Sequence, residues 1–271
     1  MTTIMAIGNS KGGVAKTTTC LSLGAAFAEL GQTVLLIDLD PQAHLTLSLG
    51  FHPERLRYTV SEVLLGHLSL VGASRETHIF GVDLIPANLS LAVMDKVLYR
   101  RPGYEGLLKQ QFSGLKEEFY NYVLIDCPPA SGLLTLNALT AADLLIIPLQ
   151  CDYYAARALR QTIGLAKLVR ERTNPKLRYR VLITMYDRRS RISRLVMEHM
   201  QQHLGHLLLN TVIEIDTRLR ECVMHQHAIN RYAPKSRSAE QYRALAAELM
   251  SIGRGAPAPA RSKPTPIPVP R

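Results

Sequence analysis

The residues with the most chemistry in one place are Gly8-Asn9-Ser10-Lys11-Gly12-Gly13-Val14-Ala15-Lys16-Thr17-Thr18-Thr19. An apolar run at residues 4–7 precedes them, and an Ala- and Leu-rich stretch at residues 20–30 follows. A strand that enters a glycine-bearing turn and leaves as a helix aims several backbone N–H groups at one point, with the positive end of the helix behind them. Such a turn cradles phosphate. Its residues here are Gly12, Gly13, Val14, Ala15, Lys16, Thr17 and Thr18, with Lys16 reaching the β- and γ-phosphates and the Thr17 hydroxyl holding Mg²⁺.

Three acids stand where such a site needs them. In Leu35-Leu36-Ile37-Asp38-Leu39-Asp40-Pro41-Gln42, strand alternation puts Asp38 and Asp40 on one side and Pro41 ends the ladder. In Tyr122-Val123-Leu124-Ile125-Asp126-Cys127-Pro128-Pro129, an apolar strand delivers Asp126 at its carboxyl end. Carboxylates beside bound phosphate have two jobs open to them, holding the water shell of Mg²⁺ or orienting an attacking water.

The strict P-loop pattern would place glycine at positions 10 and 15; here they are Ser10 and Ala15, and a second lysine, Lys11, opens the loop. This deviant Walker A box, K-G-G-x-x-K-T-T, resembles the ParA/MinD family of dimerising ATPases. The resemblance implies a single-domain α/β P-loop NTPase fold, a doubly wound and mostly parallel sheet with helices on both faces. It implies ATP and Mg²⁺ as cofactors, with Asp38 and Asp126 on the metal through water and Asp40 orienting the attacking water. It also makes Lys11, Lys16 and Asp40 the catalytic set, with Lys11 reaching across a homodimer to the partner's nucleotide. Ala15 adds one methyl where the chain enters the helix, a modest perturbation that is tolerated with its N–H intact if φ there is negative. Ala130 stands where a Ser commonly follows the two prolines. Asp152 replaces Glu in a stretch, residues 145–155, that borders either the dimer interface or the nucleotide pocket.

The elements that must position these groups alternate. Apolar strand candidates are residues 4–7, 33–39, 82–85, 122–125, 144–148, 180–184 and 208–213, with helical patterns between most of them. Near-continuous apolar strands separated by helices imply a parallel sheet covered on both faces, with ligand chemistry at its carboxyl edge. After residue 184 a helix is expected to turn Ile192, Leu195, Val196 and Leu204 to one face. Residues 1–250 form the ATPase domain. From residue 251 the composition shifts to Gly, Ala and Pro, with six prolines between Pro257 and Pro270, so residues 251–271 read as a Pro-rich disordered tail.

Charge is the strongest compositional signal. The 271 residues carry a formal net charge of +10, distributed unevenly. Residues 1–150 contain 10 Lys and Arg against 13 acids, whereas residues 151–271 contain 22 against 9, and 18 of those 22 are Arg. A basic, arginine-rich half suits a polyanion. By the resemblance, Arg189 and Arg218 match arginines that contact DNA in Soj-like members, and Arg188, Arg191, Arg194 and Arg220 extend the patch. Glu214 and Asp216, in place of a P-R-N pattern, are expected to weaken Arg218.

Other classes fit less well. No apolar run approaches 18 residues, the first residues do not form a signal peptide, and four cysteines without C-x-x-C spacing suit buried thiols in a reducing compartment. A cytoplasmic, nucleoid-associated protein is expected. His199, His203 and His206 have a spacing that could face a metal, but a polar helix face explains them without a fourth ligand. The C-terminal sequence lacks the amphipathic helix of a MinD-like membrane switch, and no operator-reading helix-turn-helix precedes the loop. The expected protein is a dimerising ATPase that binds double-stranded DNA without sequence preference when ATP-bound, and segregates DNA with a ParB-like activator and no membrane. A positioner of another cargo on the nucleoid, a MinD-like switch and a metabolic P-loop enzyme are the alternatives.

Overall fold

Each of the seven apolar runs becomes a strand of one eight-stranded sheet. In the computed structural model, which describes residues 2–115 and 119–253, the strands are β1 (Thr3–Ile7), β2 (Val34–Asp38), β3 (Arg75–Glu76), β4 (Val82–Ile85), β5 (Tyr122–Asp126), β6 (Leu144–Gln150), β7 (Arg178–Tyr186) and β8 (Leu208–Glu214). Their order across the sheet is β3-β4-β2-β5-β1-β6-β7-β8. Every pairing is parallel except β3 with β4. From β1 the chain moves to β2 on one side, and after β5 it crosses to β6 on the other, which opens a crevice at the carboxyl edge beside β1. Register brings the chemistry level there, since Ile7 and Asp38 both pair with Asp126.

Alternation along the strands feeds two cores. Ala6, Leu35, Ile37, Ile125 and Ile147 pack on one face, and Met5, Ile7, Leu36, Leu124 and Ile146 on the other. The second face is closed by the helices Lys16–Glu29 and Arg237–Gly253, which pack on each other. Phe27 stacks on Tyr122 at 4.1 Å between ring centroids, and the buried Tyr242 hydroxyl lies 3.3 Å from Thr19 Oγ1. Both strand faces are therefore dry, which is why the strands read as unbroken apolar runs.

Four details depart from the sequence expectation. The edge strand β3 is two charged residues long and carries no apolar run; short, charged edges are how sheets avoid pairing with other chains. The first helix starts at Lys16, four residues ahead of the apolar stretch. The Arg191–Leu204 helix buries Ser193, Met197, Met200 and Leu204, while Ile192 and Leu195 are each 51% exposed. The inward stripe is thus set by the i, i+4, i+7 row from Ser193, not by the most apolar residues. The final helix continues through Gly253, past the expected domain end at residue 250; the rest of the Pro-rich tail lies outside the described residues.

Candidate nucleotide-binding site

The loop between β1 and the Lys16–Glu29 helix is braced from the strand side. Gly8 donates its N–H to Ile146 O at 3.0 Å, and buried Asn9 Nδ2 donates to Pro148 O at 2.7 Å. Asn9 Oδ1 accepts from Lys11 N at 3.0 Å, and Thr184 Oγ1 donates to Val14 O at 3.1 Å. Lys16 Nζ donates to Lys11 O at 3.0 Å, closing the loop over itself. Gly13 has φ 71°, the left-handed region that glycine enters freely.

Ala15 has φ 64° and ψ 34°, so its methyl sits in the left-handed conformation at the entry to the helix, and the negative φ under which the methyl is tolerated is not met. A Cβ in that region costs roughly 1–2 kcal/mol. Ala15→Gly is expected to stabilise the fold by about 1 kcal/mol once the greater unfolded-state freedom of glycine is subtracted. Urea denaturation of the two proteins measures the difference, and an unchanged or lower midpoint contradicts the strain.

The three acids have different surroundings. Asp38 is fully buried; its Oδ1 accepts from Asp40 N at 3.1 Å, and its Oδ2 accepts from Thr46 N at 2.9 Å and Thr46 Oγ1 at 2.7 Å. Burial, with Asp40 adding repulsion, raises its pKa to about 6 against the pull of those hydrogen bonds. Asp126 Oδ2 accepts from Thr17 Oγ1 at 2.7 Å, while Asp126 Oδ1 is buried without a protein partner. Burial and the nearby Asp38 charge push the Asp126 carboxyl well up. Lys16 is 7% exposed, and burial lowers its pKa while Asp126 pulls it back. Two raised carboxylates and an orphaned oxygen next to a threonine hydroxyl fit a hard divalent cation, which would neutralise both acids and take the orphaned oxygen through water. Thr17 and Asp126 would hold it, with Asp38 contributing charge. Asp40 is the acid that faces open space: it lines the cavity, Gln42 N donates to its Oδ1 at 2.9 Å, and Oδ2 has no protein partner among the described residues.

That cavity has a volume of about 760 Å³, a size suited to a nucleotide. Gly12, Gly13 and Ala15 through Thr18 form its polar end. Beside Glu214, Asp216 and Arg220, the cavity is lined by the apolar Met185, Ile213, Ile215, Leu219 and Val223. These apolar residues carry no motif and were missed from sequence; the available signal was the rule that ligands sit at strand carboxyl ends, applied to β7 and β8.

Lys11 points elsewhere. Its ammonium pairs with the Asp152 carboxylate and lines a second concavity of about 270 Å³ with Ser10, Tyr154, Arg157 and Gln161. Asp152 and Tyr154 therefore lie beside Lys11, and none of residues 151–155 lines the main cavity.

The candidate arginines divide. Arg188 Nη2 meets Glu214 Oε1 at 2.5 Å, and Arg189 Nε meets Asp187 Oδ1 at 3.1 Å. Arg191 and Arg218 are exposed, and Arg220 lines the nucleotide cavity. Glu214 does not engage Arg218: its partners are Arg188 and Arg237, the latter at 2.9 Å. Asp216 Oδ1 accepts from the Arg218 backbone N–H at 3.1 Å. His199 and His203 have ring centroids 4.1 Å apart, and no cluster of three or more His, Cys, Asp or Glu able to hold a metal occurs among the described residues. Among the same residues no helix is long and apolar enough to cross a membrane.

The AAA domain family (AAA_31) matches residues 2–179. The sporulation initiation inhibitor protein Soj of Bacillus subtilis is 39% identical over 251 residues, covering 92% of this chain and 99% of Soj. The chain belongs to the ParA/Soj family. Within that family, the chromosome partitioning protein ParA of Caulobacter vibrioides is 37% identical over 253 residues, 93% of this chain and 95% of that protein. A solved structure described as cobyrinic acid a,c-diamide synthase from Mycobacterium smegmatis, with bound ADP and magnesium, superimposes with a TM-score of 0.82 at 40% identity, covering 94% of this chain and 96% of that one. The ParA/Soj assignment agrees with the P-loop NTPase fold expected from the sequence.

Proposed function

We propose that the protein is an ATP-dependent, Mg²⁺-requiring dimerising ATPase that binds double-stranded DNA without sequence preference in its ATP-bound state and partitions DNA with a ParB-like activator. The observation that carries this reading is a shared wall. The ends of β7 and β8 and the Arg218–Met224 helix line the nucleotide cavity; that helix carries Arg218 and Arg220, and Arg188 and Arg189 lie in the turn that follows β7. A nucleotide in the cavity thus touches the base of the basic face.

Lys16 and the loop N–H groups would bind the β- and γ-phosphates, the apolar lining would take the base, and Asp40 would orient water at the γ-phosphate. Mg²⁺, when bound, supplies charge neutralisation on the phosphates. Lys11, released from Asp152, would reach the partner's nucleotide, so dimerisation and hydrolysis require the same lysine. One protomer offers few phosphate contacts, and two protomers joined through ATP act as a linked pair, which raises affinity by about 10² or more without new contact types. Arg189→Ala/Arg218→Ala is expected to lose DNA binding at least tenfold at 100 mM salt while ATP binding and ATP-dependent dimerisation persist; anisotropy on labelled DNA, beside sizing with ATP, checks both. Full DNA affinity in that variant places the basic face elsewhere.

A second reading, an ATP-dependent enzyme making amides on a small acid, draws on the name of the 40% identical M. smegmatis structure. It predicts ATP turnover driven by a small-molecule acid and indifferent to DNA.

A further inference from the structure

Glu214 is the last residue of β8, opposite Tyr186 in register, and is 4% exposed. Both of its oxygens are taken. Oε1 receives Arg188 Nη2 at 2.5 Å and Gln241 Nε2 at 3.2 Å, and Oε2 receives Arg237 Nη1 at 2.9 Å. Arg237 is fixed further by donating Nη2 to Ile215 O at 2.9 Å. A carboxylate taken out of water keeps its charge only when paired, so pulling either guanidinium away leaves a buried anion less compensated. The three arginines are all solvent-open, Arg188 at 74%, Arg237 at 52% and Arg189 at 86%, and what sets Arg189 apart is its acceptor: Asp187 is 29% exposed against 4% for Glu214, so that pair is screened and readily exchanged. The Arg218 and Arg191 guanidinium groups have no acidic partner among the described residues.

We infer that Glu214 is a charge clamp that withholds Arg188 and Arg237 from DNA phosphates and thereby limits how many phosphates each protomer engages. The inference rests on the DNA-binding reading above and refines it. Glu214 also lines the nucleotide cavity, and its part in DNA binding is that of a positioning residue acting through the two arginines. Phosphate contacts are counted by the salt slope, because each cation that replaces a condensed counterion adds about 0.9 to the slope of log affinity against log salt. A guanidinium already held by a buried carboxylate contributes little to that count.

The test uses full-length protein saturated with a non-hydrolysable ATP analogue and a random-sequence duplex, with anisotropy read between 50 and 200 mM salt. Arg188→Ala is expected to leave the slope at the parent value, whereas Arg218→Ala lowers it by about 0.9 per protomer. Glu214→Gln keeps the shape and hydrogen-bonding capacity while removing the charge, and is expected to steepen the slope by about 0.9–1.8 per protomer. Its affinity loss from 50 to 200 mM salt should therefore exceed the parent's by about 3- to 12-fold per protomer. Adding Arg188→Ala to Glu214→Gln is expected to remove about half of that gain.

A parent-like slope in Glu214→Gln, or a loss in Arg188→Ala as large as in Arg218→Ala, overturns the clamp. Should Glu214→Gln fail to fold, the comparison of the two exposed arginine variants decides alone. A parent that binds no DNA in any nucleotide state overturns both the clamp and the functional reading, while a binding parent with a flat Glu214→Gln response removes only the clamp.

Discussion

Lys16→Ala is expected to weaken ATP binding by two to three orders of magnitude and to leave no measurable turnover. Lys16 is the buried cation among Asp126, Asp40 and the loop carbonyl of Lys11. Its charge is held there against desolvation, which makes it available to phosphate at high local strength and at no reorganisation cost. Removing it also leaves Asp126, already pushed toward the protonated form, without the Lys16 charge that draws it back. A variant with three fewer methylenes and no ammonium also frees space in the loop, but its fold should survive, since the lysine is itself the desolvated group. Calorimetric titration with ATP and Mg²⁺ measures the loss; affinity within threefold of the parent removes Lys16 from the phosphate site.

The second large effect is on the chemical step. Asp40→Ala is expected to slow hydrolysis by about 10²–10³ while ATP binding continues, so that the ATP-bound dimer accumulates. The structure distinguishes Asp40 from Asp38 for this role. Both Asp38 oxygens are occupied by Thr46 and the Asp40 N–H, whereas Asp40 lines the cavity with Oδ2 free of protein partners among the described residues. Phosphate release and size-exclusion with ATP report the two halves of the expectation. Parent-rate hydrolysis, or a protein that stays monomeric with ATP, contradicts the assignment.

The parts of this site that were legible in sequence are those where one residue type does one job. Gly13 and Lys16 announce a loop, and Asp38 and Asp126 announce strand ends, because apolar runs flanking them fix where the sheet edge falls. The parallel architecture was legible for the same reason: strands dry on both faces leave an unmistakable apolar trace. What sequence did not carry is three-dimensional pairing. Glu214 and Arg237 are 23 positions apart and meet only because the last helix packs against β8. The apolar lining of the cavity is ordinary aliphatic residues and a methionine, brought there by where β7 and β8 end. The sequence put Ile192 and Leu195 on one face without fixing which way that face points, and an exposed surface tolerates both. Nor does a single letter display the φ of Ala15.

The central claim is that nucleotide state controls a phosphate-reading face, and DNA binding by the parent protein with ATP, ADP or no nucleotide, at 50 and 200 mM salt, tests it most directly. The account predicts tight binding with ATP alone, at least tenfold weaker binding in the other two states, no preference between unrelated duplex sequences, and a steep fall with salt in the ATP state. Equal affinity in all three states, or binding insensitive to salt, would contradict it.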